Sequence, residues 1–371
     1  MKLPRWNLSI ALIVVISLVL IGCSAEAPSE PAPAAEEPEQ EEEVTPAQAE
    51  VEAVEWKLFA NVGIGQPPVE AWLNYATYIE EVTQGRLQID VFAAGEHAYK
   101  ADELLGAVSD GVCDMCIVDA PNISGQEPAV SISDLVLLMP SDVEVERNVN
   151  HQLYAQDGML GSLMRDKWGV TAKFTNAIGG QYIWLNEGWL EDDDSFKGKR
   201  IRTYSADMDN FVSMLNGTPV RIASEERYQA LQTGLIDGYI TGITSSYVDK
   251  LNEVSKHLVP LSVFCVTNLT LVNNDAYADL PAELRAVFDG VIDDNRDVFE
   301  RNAYSQSGLI LLRMFELYNL EVKPVPPDYL REIRAKAMDN LWQPWIDRTP
   351  NGDAIFQEAV SLLEAEGVAF D

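Results

Sequence analysis

Residues 196–238 restrict the possible folds more than any other part of the chain. They begin with the basic knot Gly198-Lys199-Arg200-Ile201-Arg202-Thr203 and end with Gly234-Leu235-Ile236-Asp237-Gly238. Between the two, Met208, Phe211, Val212 and Leu215 fall at helical spacing, with Asp207 as a cap and Gly217 as the stop. Pro219-Val220-Arg221-Ile222 reads as a short strand. Ser224 then opens a second helix whose first turn holds Glu225 and Glu226 and whose end is Gly234. The order strand, helix, strand, helix, strand requires a mostly parallel sheet with helices on its faces, and ligands gather beyond the carboxyl ends of such strands. Arg200 and Arg202 stand two apart on a strand, so both leave by one face, where one of them is placed to enter a cleft.

The same junction occurs twice. Ala107-Val108-Ser109-Asp110-Gly111-Val112-Cys113-Asp114 matches Ala230-Leu231-Gln232-Thr233-Gly234-Leu235-Ile236-Asp237 in helix end, glycine stop, aliphatic entry and aspartate. The upstream copy closes a second α/β unit. Residues 56–60 read as its first strand, Pro67-Pro68 opens a helix with Trp72, Tyr75, Ile79 and Val82 on one face, and Gly85 ends it. Leu87, Ile89 and Val91 alternate as a strand, and a helix over 101–110 leads into a buried strand over 115–118. The strand-end loops 62–66, 95–99 and 119–125 should face the cleft. Residues 177–185, after Gly179-Gly180, carry the chain into the second unit, and 267–272 carry it back. The C-terminal third is helical: Leu280-Pro281 opens one helix, 297–317 continues a long amphipathic stretch, and 329–345 and 354–366 add more.

Lys197-Gly198-Lys199-Arg200-Ile201-Arg202, Leu215-Asn216-Gly217-Thr218-Pro219-Val220 and Tyr228-Gln229-Ala230-Leu231-Gln232-Thr233-Gly234-Leu235-Ile236-Asp237-Gly238, in this order and spacing, resemble the substrate-binding proteins of tripartite ATP-independent periplasmic (TRAP) transporters of the DctP type. The similarity runs from about Trp56 to the C-terminus. It implies a periplasmic-binding-protein-like α/β fold of two lobes around a cleft, with a long C-terminal helix bridging them. Lobe I is expected over 56–179 plus 268–307, and lobe II over 180–267 plus 308–371.

The ends and the charge set the setting. Lys2 and Arg5 precede an apolar run over 8–21 that is short for a membrane span and ends at Leu20-Ile21-Gly22-Cys23, similar to a bacterial lipobox. Residues 1–23 are therefore expected to be a lipoprotein signal peptide, cleaved before Cys23, whose thiol takes the lipid. Residues 24–55 carry eleven acids, no bases and repeated Ala and Pro, the composition of a disordered tether. The whole chain has a net charge of −33; leaving out residues 1–55 removes those eleven acids and two bases, and −24 remains. Such a surface excludes nucleic acid as a partner and leaves the lipid as the only membrane contact. The expected location is extracytoplasmic, membrane-anchored.

Catalytic apparatus is missing from the pattern. His97, His151 and His257 stand in no metalloprotease, nucleophile-elbow or phosphate-loop context, and no metal or cofactor is expected. Cys113 and Cys116 have no second cysteine or histidine pair to complete a zinc set, and with Cys265 they read as small core residues. Glu191-Asp192-Asp193-Asp194 lacks the spacing of a calcium loop and reads as a solvated turn.

The resemblance assigns the site residue by residue. In the family the second Arg of the K-x-R pattern pairs with the ligand carboxylate, and that position is Arg202. Many acid-binding members have another Arg about twenty residues earlier; Gln181 or Tyr182 stands there in this chain. Where many members place Asn, four residues after the Asp of G-x-x-D, the chain has Thr241, with Tyr239 on the same strand face. Trp184 and Asn268 complete the candidate set. One cation fewer and more aromatic surface imply a monocarboxylate with a sizeable apolar or ring-bearing body. The expected function is an extracytoplasmic receptor, not an enzyme, that closes on a small organic acid and delivers it to the membrane subunits of a TRAP transporter. A module presenting ligand to a membrane signalling protein is the alternative.

Overall fold

The computed structural model describes residues 53–368 apart from 140–141 and 223–225. The signal segment, Cys23, the acidic tether and the Ser224 helix start lie outside the described residues. Among those described, β1 (Val54–Ala60), β2 (Leu87–Phe92), β3 (Met115–Asp119), β4 (Val170–Leu185), β5 (Arg200–Thr203), β6 (Thr218–Arg221), β7 (Gly238–Thr241), β8 (His257–Asn273) and β9 (Glu321–Val322) form one sheet. Its order is β2-β1-β3-β8-β4-β7-β5-β6, with β9 beside β8. Two parallel wings, β2-β1-β3 and β6-β5-β7, are joined by the long antiparallel pair β8 and β4. The inner strands β3 and β7 are buried on both faces, as helix-covered parallel strands require, whereas Lys57, Asp90, Thr218 and Arg221 of the outer strands are exposed. In β3, Cys116 and Val118 enter one apolar cluster while Met115 and Ile117 enter another. In β7, Ile240 and Tyr239 divide in the same way.

The repeated junction is structural. Gly111 and Gly234 take left-handed φ values of 70° and 67°, which a side chain would strain. Asp114 then exchanges two hydrogen bonds with Lys57 of β1: its N–H donates to the Lys57 carbonyl at 3.0 Å, and its Oδ2 accepts the Lys57 N–H at 2.8 Å. Asp237 does the same with Arg200 of β5, at 2.7 and 2.8 Å. The aspartate thus locks the third strand of each wing to the first.

The helix expected between Asp207 and Gly217 is Ala206–Met214, and Met208, Phe211, Val212 and Leu215 are all buried. Its cap differs from expectation. Ser205 accepts the Met208 N–H at 3.3 Å, because Asp207 already lies inside the first turn, buried and paired with Arg348. The stop is Asn216 at φ 60°, from which Gly217 N–H returns to the Val212 carbonyl at 2.9 Å.

The bridging helix runs over Ala282–Tyr318, 37 residues or about 55 Å long. Leu284, Phe288, Val291 and Ile292 pack with the β1 wing, and Met314 with the β7 wing. Further on, Tyr329, Ile333 and Leu341 pack on the second wing. Trp345 and the last helix, Gly352–Ala365, instead share a buried cluster with Leu104, Val130 and Leu153 of the first half, although 308–371 was expected entirely with lobe II. The alternation of Ile355, Phe356, Ala359 and Leu363 marks an amphipathic helix but does not say which surface it covers.

The two wings meet where β4 and β8 lose register. Asn176 pairs with Asn268 and Ala177 with Thr267, the next partners are Gly180 and Cys265, and then Tyr182 and Ser262. Gly179 sits at φ 113°, and a Cβ on Gly180 would come 2.7 Å from Ser262 Oγ. These bulges bend both strands at one level.

Candidate functional site

The carboxyl ends of the parallel strands of both wings hold the polar groups that the apolar cores leave over. In the second wing, Arg202 of β5 is 2% exposed. Its Nε donates to the Ile222 carbonyl just past β6 at 2.9 Å, and its guanidinium carbon stands 4.8 Å from the centre of the Tyr204 ring. Tyr204 donates its hydroxyl to Gln181 Oε1 at 3.2 Å, and Gln181 Nε2 donates to the Gly179 carbonyl at 3.3 Å. Arg202, Tyr204 and Gln181 therefore form one contiguous array anchored on the bulged crossing strand. Burial pushes the Tyr204 hydroxyl up in pKa; Arg202 and Arg227 pull it down, and Asp134 and Asp119 push it further up. Charges from both wings act on this one hydroxyl.

Arg200, two residues earlier, has a different task. It is partly exposed and binds Asp237 through Nε at 3.0 Å and the Gly234 carbonyl through Nη2 at 2.6 Å, so it staples the β5–β7 junction. Of the two arginines on that strand face, only Arg202 lies buried beyond the strand ends.

The other expected residues separate into groups. Tyr182, partly buried, pairs across from Thr241 in the β4–β7 ladder. Trp184 and Tyr239 are each 0% exposed and stack with centroids 5.8 Å apart and planes 6° apart. The Trp184 indole N–H donates to the Thr241 carbonyl at 3.0 Å, and the Tyr239 hydroxyl is 2.8 Å from Ser246 Oγ. Those two rings are enclosed in the second-wing core. Asn268 sits on β8 beside the first wing, across from Asp119 of β3, and donates to Asp119 Oδ1 at 2.7 Å.

Sequence reasoning missed Tyr204, two residues past Arg202, and two further sets of groups. Arg227 is buried at the start of the helix Arg227–Gln232, with Nη1 donating to Thr241 Oγ1 at 3.0 Å and Nη2 paired with Asp249. A cation in the first turn of a helix opposes its dipole, and that anomaly was the available signal. In the first wing, Asn61 follows β1 and donates to Asp119 Oδ2 at 2.9 Å, at the end of β3. Burial pushes the Asp119 carboxyl up against the pull of Asn268 and Asn61. The signal for both was position: each is at the carboxyl end of a parallel strand. Asp134 lies in the same half, 5% exposed, accepting the Thr267 N–H at 2.7 Å.

Nothing in this arrangement pairs a nucleophile with a base. Among the described residues no group of three or more His, Cys, Asp or Glu is placed to hold a metal, and no helix is long and apolar enough to cross a membrane. Cys113, Cys116 and Cys265 are buried and form no disulfide among the described residues.

Residues 60–348 match the family model for bacterial extracellular solute-binding protein, family 7 (DctP). A solute-binding protein of Albidiferax ferrireducens is 25% identical over 229 residues, 61% of this chain and 62% of that one. The C4-dicarboxylate-binding periplasmic protein DctP of Rhodobacter capsulatus is 25% identical over 256 residues, covering 68% of this chain and 74% of the relative. Among solved structures, DctP7 of Bordetella pertussis, an extracytoplasmic solute receptor binding pyroglutamic acid, superposes with a TM-score of 0.73 at 19% identity, covering 84% of this chain and all of the other.

Proposed function

The chain belongs to bacterial extracellular solute-binding protein family 7, a family of receptors and not enzymes, and from that premise we propose that it captures a small organic acid by its carboxylate and hands it to a TRAP-type membrane transporter. The observation that carries this reading is Arg202: a buried guanidinium at the carboxyl end of β5, its face on Tyr204, beside Gln181. A planar guanidinium grips a carboxylate with two parallel hydrogen bonds, and in a water-poor cleft that pairing is strong. Gln181 and Tyr182, standing where many members have a second arginine, favour a monocarboxylate with a ring or apolar body. Relatives named for C4-dicarboxylate and pyroglutamic acid support the chemical class.

Binding works by closure. The moving bodies are 56–179 with 268–307 and 180–267 with the stretch from 308 to about Leu341, and the last helix travels with the first body. They turn about the bulged crossing of β4 and β8, and a solute touching both shifts the population to the closed form. Cys23 carries lipid, and the acidic segment 24–55 tethers the receptor outside the cytoplasmic membrane, near its transporter. The test is mass spectrometry of small molecules released on denaturing freshly purified protein, followed by thermal shift with the compound found. A carboxylate-bearing metabolite that raises the melting temperature supports the reading; a co-purified cation or an acid-free sugar sinks it.

A further inference from the structure

The strand ends of the first wing, which does not hold Arg202, have their own chemistry, and their charges reach the Tyr204 hydroxyl beside Arg202. Asn61 and Asp119 stand side by side at the carboxyl ends of β1 and β3, both partly accessible. Asp119 receives two amide donors, from Asn61 at 2.9 Å and Asn268 at 2.7 Å, and among the described residues no basic side chain pairs with it. Asn61, having turned its amide nitrogen to Asp119, is left with Oδ1 buried and without a hydrogen-bond partner. A buried carbonyl oxygen without a donor is costly, so a site that keeps one is suited to a donor that arrives later. The carboxylate oxygens of Asp119 keep further lone pairs. Asp134, close enough for its charge and that of Asp119 to oppose one another, has its Oδ2 buried without a partner as well. Asn61 Oδ1 and the remaining lone pairs of Asp119 therefore make this pole one of acceptors, with no basic side chain paired to Asp119 among the described residues.

We propose that the solute carries an N–H donor, an amino, imino or lactam nitrogen, at the end opposite its carboxylate, and that Asp119 and Asn61 Oδ1 receive it. This rests on Arg202 as the carboxylate anchor. It goes beyond that reading by fixing the second pole of the ligand. The cation of Arg227 does not add a second anion subsite, because Asp249 and Thr241 already occupy its Nη2 and Nη1. A body of net −24 likewise disfavours a dianion and tolerates a zwitterion or singly charged lactam.

The experiment uses purified protein, isothermal titration, and matched probes: L-proline and L-pyroglutamate against cyclopentanecarboxylate, and 4-aminobutanoate against pentanoate. In at least one set the nitrogen-bearing acid should bind about tenfold tighter or more, the weight of one charge-assisted hydrogen bond. Asp119→Asn should bring that preference below about threefold, while Arg202→Ala should abolish binding of both members. If Asp119→Asn does not melt cooperatively as the apo protein, Asn61→Ala, which removes the unpartnered carbonyl, carries the same test. Nitrogen-free acids that bind as tightly, still through Arg202, overturn this inference and leave the carboxylate reading standing. A nitrogen preference unchanged in Asp119→Asn also overturns it. Failure of every acid to bind overturns both.

Discussion

Gly238, the last residue of the Gly-Leu-Ile-Asp-Gly motif, gives a sharp test of the packing between the two strands that flank β7. It pairs with Leu185 of β4 on one side and Ile201 of β5 on the other. A Cβ built there would lie 2.6 Å from the Trp184 carbonyl oxygen, 2.8 Å from Leu185 Cδ2 and 3.1 Å from Ile201 Cδ1. The side-chain carbons move at small cost, but the carbonyl belongs to the β4 backbone and retreats only if β4 separates from β7. Overpacking of that kind costs about 1–3 kcal/mol. Replacing glycine lowers the entropy of the unfolded chain and offsets about 0.4–1 kcal/mol of this. Gly238→Ala should therefore lose about 1–2 kcal/mol in urea unfolding, with an unchanged m-value. Gly290→Ala is the control: it sits in the bridging helix with nothing within 4 Å of its Cβ, and it should gain about 0.5–1 kcal/mol. A Gly238→Ala protein as stable as wild type would refute the reasoning.

Three further outcomes follow. Burial holds the Asp134 carboxyl well above the ordinary range, with Glu146 and Asp119 adding to the rise against the Thr267 N–H. A raised folded pKa means stability lost as pH climbs through it, so the melting temperature of Asp134→Asn relative to wild type should improve from about pH 4 to pH 8; a constant difference would contradict this. Arg200 holds Asp237 below the ordinary range, so its stabilisation is lost as pH falls through the lowered value, and Asp237→Asn should melt lower than wild type at neutral pH and converge with it in strong acid. Burial pushes the Cys113 thiol up to about 12, and Cys116 and Cys265 are buried too. Iodoacetamide at mild alkaline pH should therefore leave all three unmodified until urea unfolds the protein, and reductant should not move the melting temperature.

Much of the fold was legible because local signals agreed. Strand, helix and glycine stop between Arg200 and Gly238 each had one physical reading, and the repeat of Gly111–Asp114 in Gly234–Asp237 proved to be the same pair of hydrogen bonds, one from the aspartate N–H and one to its carboxylate. The site was only half legible. Arg202 and Gln181 come together, through Tyr204, because the pattern already placed one on the first strand of the second unit and the other on the segment that crosses into it. Tyr239 was expected near the cleft from strand parity and Trp184 as a further candidate, but parity assigns a face and not a depth, and both rings are covered by Leu231, Leu251 and Met314. Asn61 and Asp119 lie 58 residues apart in sequence and meet only because β1 and β3 pair in parallel. Nor did periodicity reveal where the last helix packs, since an amphipathic helix fits any apolar surface.

The most direct measurement is the affinity of Arg202 variants for the solute recovered from the protein itself, read beside their apo melting curves. Arg202→Ala and Arg202→Lys should both bind more weakly by about 2–5 kcal/mol, roughly thirty-fold to several thousand-fold, because neither restores a two-bond grip on a carboxylate. Arg200→Ala should change affinity far less, since its partners are Asp237 and Gly234. Apo melting of the Arg202 variants should stay cooperative, and the gain of about 2.7 kcal/mol that wild type shows at a hundredfold excess over Kd should vanish. Wild-type affinity in Arg202→Ala, or an apo protein that no longer folds in both variants, would contradict the assignment of Arg202 as the anchor of the ligand.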